Sequence, residues 1–271
     1  MNVRRALDEQ LLGWLRKRIA QACDVRESFE MARGFGYSDD AIAAGLEAVR
    51  PLGNMLERGP MPPPLIRRAP AGLARLGGTT LELYTLADFL KPKDCARLIA
   101  LIGHHLAPSR VTHDYGDRNV RVSQTAFLSF THSPLAAEMD AKICRTLGIR
   151  AEYSEGIQAQ RYEVEGHFKP HCDYFSEDAD AHRTACSVRG NRTWTFMVYL
   201  DDDMDGGATR FTQIDCAIRP KTGMAVLWNN LHPDGSPNPA TRHCGEPVTR
   251  GHKTIITKWF RVRGDGPVFH E

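Results

Sequence analysis

In the stretch Gln160-Arg-Tyr-Glu-Val-Glu-Gly-His-Phe-Lys-Pro-His-Cys-Asp-Tyr-Phe175, His171 and Asp173 stand two residues apart. Alternate residues of an extended chain point to the same side, so this imidazole and carboxylate converge while Cys172 turns away. They supply two corners of a 2-His-1-carboxylate facial triad, the ligand set that leaves positions open on ferrous iron. A third ligand must come from elsewhere. His243, 70 residues beyond Asp173, is one candidate, since a strand on the opposite side of a β-sandwich could bring it back. His-x-Asp alone is a weak signal, because the chain holds a second copy, His232-Pro-Asp234. That copy lies among Asp-Gly and prolines that already account for it as a turn.

The elements that must position these residues follow from the apolar pattern. After about residue 120 the chain consists of short apolar runs, at 125–130, 157–162, 193–200, 225–228 and 254–262, separated by Gly, Pro, Asn and Asp. Such runs predict a mainly β fold, a sandwich or jelly roll with helices packed outside it. Lys253 opens the last run, ten residues after His243. Upstream, Leu7, Leu11, Leu15, Ile19 and Ala22 recur at helical spacing. A second helix is expected at 38–49, capped by Ser38, and another at 88–102. Residues 51–78 carry six prolines and five glycines and predict an extended linker. The expected organisation is a helical appendage at 1–50, a linker at 51–78 and a β domain at 79–265.

The ordered motifs make the chain recognisable. It resembles the prolyl 4-hydroxylase-like branch of the iron(II) and 2-oxoglutarate-dependent dioxygenases, whose pattern is His-x-Asp, a distal His and a Lys ten residues later. Phe89-Leu90 with Leu98-Ile99 resembles the family's "FL...LI", and Arg121-Val-Ser123 with Phe127-Leu128 its "RxSxxxFL". Tyr162 stands nine residues before His171. Arg192-Thr-Trp-Thr195 with Tyr199-Leu200, then Gly206-Gly207-Ala-Thr209-Arg-Phe211, resembles "RxxTxxxYL...GGxTxF".

The resemblance implies a double-stranded β-helix (jelly-roll) core in which His171, Asp173 and His243 bind Fe(II). It implies 2-oxoglutarate as cosubstrate, its distal carboxylate paired with Lys253 and helped by the hydroxyls of Tyr162 and Thr195, with dioxygen as oxidant and ascorbate as an optional accessory. Tyr162 and Thr195 read equally as core residues with satisfied hydroxyls. Arg121, Arg161 and Trp259 are candidates for the substrate side, Trp259 more readily as packing. The family commonly has "LHAGCPV" at the distal histidine, whereas this chain has Arg242-His-Cys-Gly-Glu-Pro-Val248, which bears on substrate more than on reaction type.

Composition excludes other classes. With 35 Lys+Arg against 33 Asp+Glu and a net charge of +2, no basic tract for nucleic acid is present. No run reaches the roughly 18 apolar residues of a membrane span. Seven scattered cysteines without a CxxC pair suit reduced thiols and a cytoplasmic setting. The expected partner is a peptide or protein substrate, with no nucleic acid or membrane and the oligomeric state open. Hydroxylation of a free amino acid or small molecule, and a non-catalytic metal-binding jelly roll, are the alternatives. Residues 109–121 fall where the family has a mobile loop over the substrate. Substrate is expected to protect Arg110 and Arg118 from trypsin; cleavage unchanged by substrate would count against a lid.

Overall fold

The computed structural model describes residues 5–20, 25–49, 72–109, 120–128, 133–176, 186 and 189–264. Three short helices come first: α1 (Glu9–Ala20), α2 (Val25–Gly34) and α3 (Asp39–Ala48). Asp8 accepts the Leu11 amide proton at 2.8 Å, so the first helix starts at Glu9 and leaves Leu7 outside it. Ser38 caps α3 as expected, accepting from the Ala41 amide at 3.2 Å. Leu11, Leu15, Phe29, Ile42 and Leu46 form a small core of their own. Ala22 and residues 50–71, most of the expected linker, lie outside the described residues.

The strands are β1 (Leu73–Arg75), β2 (Leu83–Leu86), β3 (Ala107–Pro108), β4 (Arg121–Val122), β5 (Gln124–Phe127), β6 (Gln158–Tyr162), β7 (His167–His171), β8 (Arg192–Tyr199), β9 (Met204–Gly206), β10 (Thr209–Phe211), β11 (Cys216–Ile218), β12 (Ala225–Asn229), β13 (His243–Gly245), β14 (Val248–Gly251) and β15 (Lys253–Arg261). Two antiparallel sheets, ordered β1-β2-β12-β8-β15-β6-β5-β3 and β11-β10-β13-β7-β4, form the jelly-roll core. Sheet structure begins at Leu73, inside the stretch expected to be linker, because Leu73–Arg75 can pair with Tyr84–Leu86 at the sheet edge, where prolines and glycines nearby do no harm.

Helices α4 (Pro92–Gly103) and α5 (Pro134–Leu147) cover one face of the large sheet. The expected helix at 88–102 starts four residues late: Asp88 has φ 52°, outside the helical region, and Pro92 takes the first turn, where its missing N–H is harmless. Alternation divides the central strands between two cores. Trp194, Phe196 and Val198 of β8 and Ile256 and Phe260 of β15 pack toward α4 and α5. Met197, Tyr199 and Ile255 point between the sheets with Phe211 and Trp228. All nine residues of β15 are buried. Among the described residues six cysteines are free thiols, and no helix is long and apolar enough to cross a membrane.

The turn feeding β12 is tightly constrained. Gly223 has φ 78°, and a Cβ there would meet the Leu90 carbonyl oxygen at 2.1 Å. Gly223→Ala should therefore cost about 2 kcal/mol or more in denaturant unfolding. An unchanged midpoint would remove this turn from the constraints on β12.

Candidate metal centre

His171 closes β7, and His243 opens β13 directly opposite it in register. Asp173 lies in the bend just past β7. Its Oδ1 stands 3.5 Å from His171 Nε2 and 3.9 Å from His243 Nε2, and the three ligand atoms lie within 4.8 Å of one another. Each imidazole is oriented from behind: His171 Nδ1 meets the Lys169 carbonyl and His243 Nδ1 the Thr241 carbonyl, both at 2.8 Å. A carbonyl only accepts, so each Nδ1 carries the proton and each Nε2 offers a lone pair to the centre. Phe168 stacks on His171 with ring centroids 3.6 Å apart, and Trp228 meets His243 edge-on.

Electrostatics suit a cation here. Burial works against the Asp173 charge, but His243 and His171 hold its carboxyl well below the usual carboxylate range. Burial pushes His243 down to about 4, which keeps it neutral, the form a metal requires. Two imidazole nitrogens and one carboxylate oxygen on one side of a metal fit octahedral Fe(II) with positions left open. The other His-x-Asp is a turn: His232 and Asp234 are exposed, and Asp234 accepts from the Ser236 amide and hydroxyl.

Lys253 is 2% exposed and sits in the same cleft, which Met197, Trp228 and Ile255 help to wall. Its Nζ donates to the Gly207 carbonyl at 2.8 Å and lies 4.6 Å from the Tyr162 ring centroid. Among the described residues no carboxylate comes within 4 Å of it. Burial lowers its pKa to about 8. A buried cation whose hydrogen bond goes to a neutral carbonyl suits the distal carboxylate of a dicarboxylic acid.

The remaining expected residues divide. Tyr162 pairs with Lys253 across β6 and β15 and lines the cleft. Thr195 does not join them. It lies opposite Trp259, six residues along β15 from Lys253 and so about 20 Å away. Its hydroxyl donates instead to Asp173 Oδ2 at 2.8 Å. Trp259 is neither plain packing nor a demonstrated substrate contact: it lines the cleft, and its Nε1 donates to the same Oδ2 at 2.9 Å. Arg161 faces away, because Gln160 and Tyr162 take the cleft side of β6; its Nε donates to Glu163 at 2.7 Å. Arg121 is on the cleft wall, 4.9 Å over the Phe168 ring. The lid segment lies outside the described residues from 110 to 119.

Sequence reasoning missed Thr209, which lines the cleft and accepts the Tyr199 hydroxyl at 2.7 Å, and the polar pair Gln160 and Thr257 on its wall. Thr209 was visible in the "GGxTxF" motif, and Thr257 in its two-residue alternation with Lys253 and Ile255.

The profile of the 2OG-Fe(II) oxygenase superfamily matches residues 157–261. Prolyl 4-hydroxylase 1 of Arabidopsis thaliana is 32% identical over 219 residues, covering 71% of this chain and 76% of that protein. Prolyl 4-hydroxylase subunit alpha-1 of Gallus gallus is 33% identical over 184 residues, covering 68% of this chain and 34% of the relative. The chain thus spans about a third of the length of the animal alpha subunits it matches. The viral collagen prolyl hydroxylase of Paramecium bursaria Chlorella virus-1, solved with 2-oxoglutarate, shares the fold at a TM-score of 0.54 and 23% identity, over 66% of this chain and 96% of that one. This chain belongs to the prolyl 4-hydroxylase-like family of iron(II)- and 2-oxoglutarate-dependent oxygenases.

His171→Ala and His243→Ala should each weaken Mn(II) binding at least about a hundredfold in titration calorimetry, while His232→Ala binds like the parent. Equal loss in all three would mean the metal is held elsewhere.

Proposed function

We propose that this chain hydroxylates a prolyl residue of a protein or peptide, using Fe(II), 2-oxoglutarate and dioxygen. The observation that carries this reading is the placement of Lys253, a buried cation, in one cleft with the His171, Asp173 and His243 triad. Bound iron supplies the dioxygen activation that couples conversion of 2-oxoglutarate to succinate and CO2 with oxygen insertion into a C–H bond. His171, Asp173 and His243 would hold the iron, whose chemistry would act on cosubstrate and oxygen. Lys253, flanked by Tyr162 and Thr209, seats the distal carboxylate. Met197, Trp228 and Ile255 give the cleft an apolar wall that limits its water. Arg121 stands on the wall where a substrate chain would enter. The prolyl character of the substrate is supported by the prolyl 4-hydroxylases among its relatives.

The test is succinate release with Fe(II) and 2-oxoglutarate, alongside a panel of prolyl peptides and free amino acids screened for a mass gain of one oxygen. Modification confined to free amino acids would overturn the peptide reading, and absence of succinate the oxygenase reading. A charge-assisted contact is worth about 1.5–3 kcal/mol, so Lys253→Ala should raise the 2-oxoglutarate requirement roughly ten- to a hundredfold. The pH dependence has a definite sign. Only charged Lys253 attracts the dicarboxylate, and burial has brought its pKa down to about 8. Affinity for 2-oxoglutarate should therefore fall as pH rises above that value, by up to about tenfold per pH unit. A flat profile between pH 7 and 10 would remove Lys253 from the seat.

A further inference from the structure

A hydrogen-bond chain of fixed polarity ends on the metal-facing carboxylate. The Trp228 indole can only donate, and its Nε1 donates to Asn230 Oδ1 at 3.0 Å. That contact settles the orientation of the Asn230 amide, so Nδ2 is the atom facing Thr195, and it donates to the Thr195 hydroxyl at 2.8 Å. With an acceptor position so filled, Thr195 directs its own proton to Asp173 Oδ2. Trp259 adds a second donor to that oxygen. Oδ2 is thereby committed to protein donors, and Oδ1 is the atom turned toward both Nε2 atoms.

Asn230 itself has little freedom. It is fully buried, its backbone N–H donates to the Thr193 backbone carbonyl at 2.6 Å, and its backbone carbonyl accepts from the Asn238 backbone N–H at 2.9 Å. Trp228 at the head of the chain also packs edge-on against His243, with centroids 4.9 Å apart. One indole therefore references two of the three ligands: His243 by ring contact and Asp173 through Asn230 and Thr195. We infer that Asn230 is a positioning residue of the metal centre, holding Asp173 through Thr195 so that a single carboxylate oxygen faces the metal. This inference rests on the iron reading of the site.

Asn230→Asp keeps the shape and reverses the polarity: a carboxylate accepts from both Trp228 and Thr195, drawing the Thr195 proton away from Asp173. Mn(II) alone is the probe, with its dissociation constant read by calorimetry and folding checked by thermal unfolding of the metal-free protein. Asn230→Asp and Thr195→Val should each weaken Mn(II) binding about 10–100-fold, and Thr195→Ser should restore it to within about threefold of the parent. Because the two residues act in series, the double variant should lose no more than the worse single one. Should Asn230→Asp not fold, Trp228→Phe, which removes the indole N–H that orients the amide, should still weaken Mn(II) several-fold. Parent-like Mn(II) binding in Asn230→Asp or, failing that, in Trp228→Phe would overturn the inference, as would losses that multiply in the double variant. If the parent shows no Mn(II) binding that depends on His171 and His243, it is the iron reading that fails.

Discussion

The carboxylate of Asp173 lies between two β-sheets, nearly out of reach of water, and an ion in such a place is tolerated only if hydrogen bonds and opposite charge replace its hydration. Thr195 and Trp259 supply the hydrogen bonds, from adjacent strands held in register. Just beyond this pair, past an irregularity in the ladder, the layer continues into buried ion pairs. Arg192 of β8 and Arg261 of β15 converge on Glu155, whose carboxyl is held well below its usual range by these guanidiniums against the cost of burial. The Arg192 guanidinium also lies 4.0 Å over the Trp259 ring. A charge needed for metal binding is thus accommodated by a polar layer that runs across three segments of the fold.

Lys253 presents the complementary case at the other end of the cleft. It is a buried cation given a carbonyl and an aromatic face, and no carboxylate partner among the described residues. The cleft therefore holds a carboxylate with one oxygen, Oδ2, satisfied by protein donors, and a cation left for a ligand to satisfy. This asymmetry is what suits the cleft to a dicarboxylate, since complete neutralisation of Lys253 by the protein would leave such a ligand little to contribute.

Much of this was legible in the chain. The long strands β6, β8, β12 and β15 appear as apolar runs because each is buried on both faces or nearly so, and the metal ligands appear because His171, Asp173, His243 and Lys253 fall in the order of a known family, where spacing alone left a second His-x-Asp and an open choice of third ligand. Spacing within one strand was also readable, as Lys253, Ile255, Thr257 and Trp259 show. What escaped was how far along neighbouring strands two residues lie from each other. Thr195 and Tyr162 look equally suited to accompany Lys253 in the sequence, yet pairing places Tyr162 opposite it and Thr195 opposite Trp259. Arg161 was misjudged for a simpler reason, since the alternation that puts Tyr162 in the cleft puts its neighbour outside. Helix α5 went unread although Pro134 at its start and Gly148, with φ 70°, at its end are ordinary helix boundaries.

The strand β15 has no exposed residue, and its two faces serve different ends, one lining the cleft and the other packing under the helices. A substitution on either face disturbs a neighbour that the other face depends on, so this strand offers almost no neutral ground for sequence drift. New substrate preferences must arise instead from segments that lend the cleft a single side chain each, such as β4 with Arg121. Evolvability in this molecule belongs to the rim, and the strand that carries the chemistry is the one least free to vary.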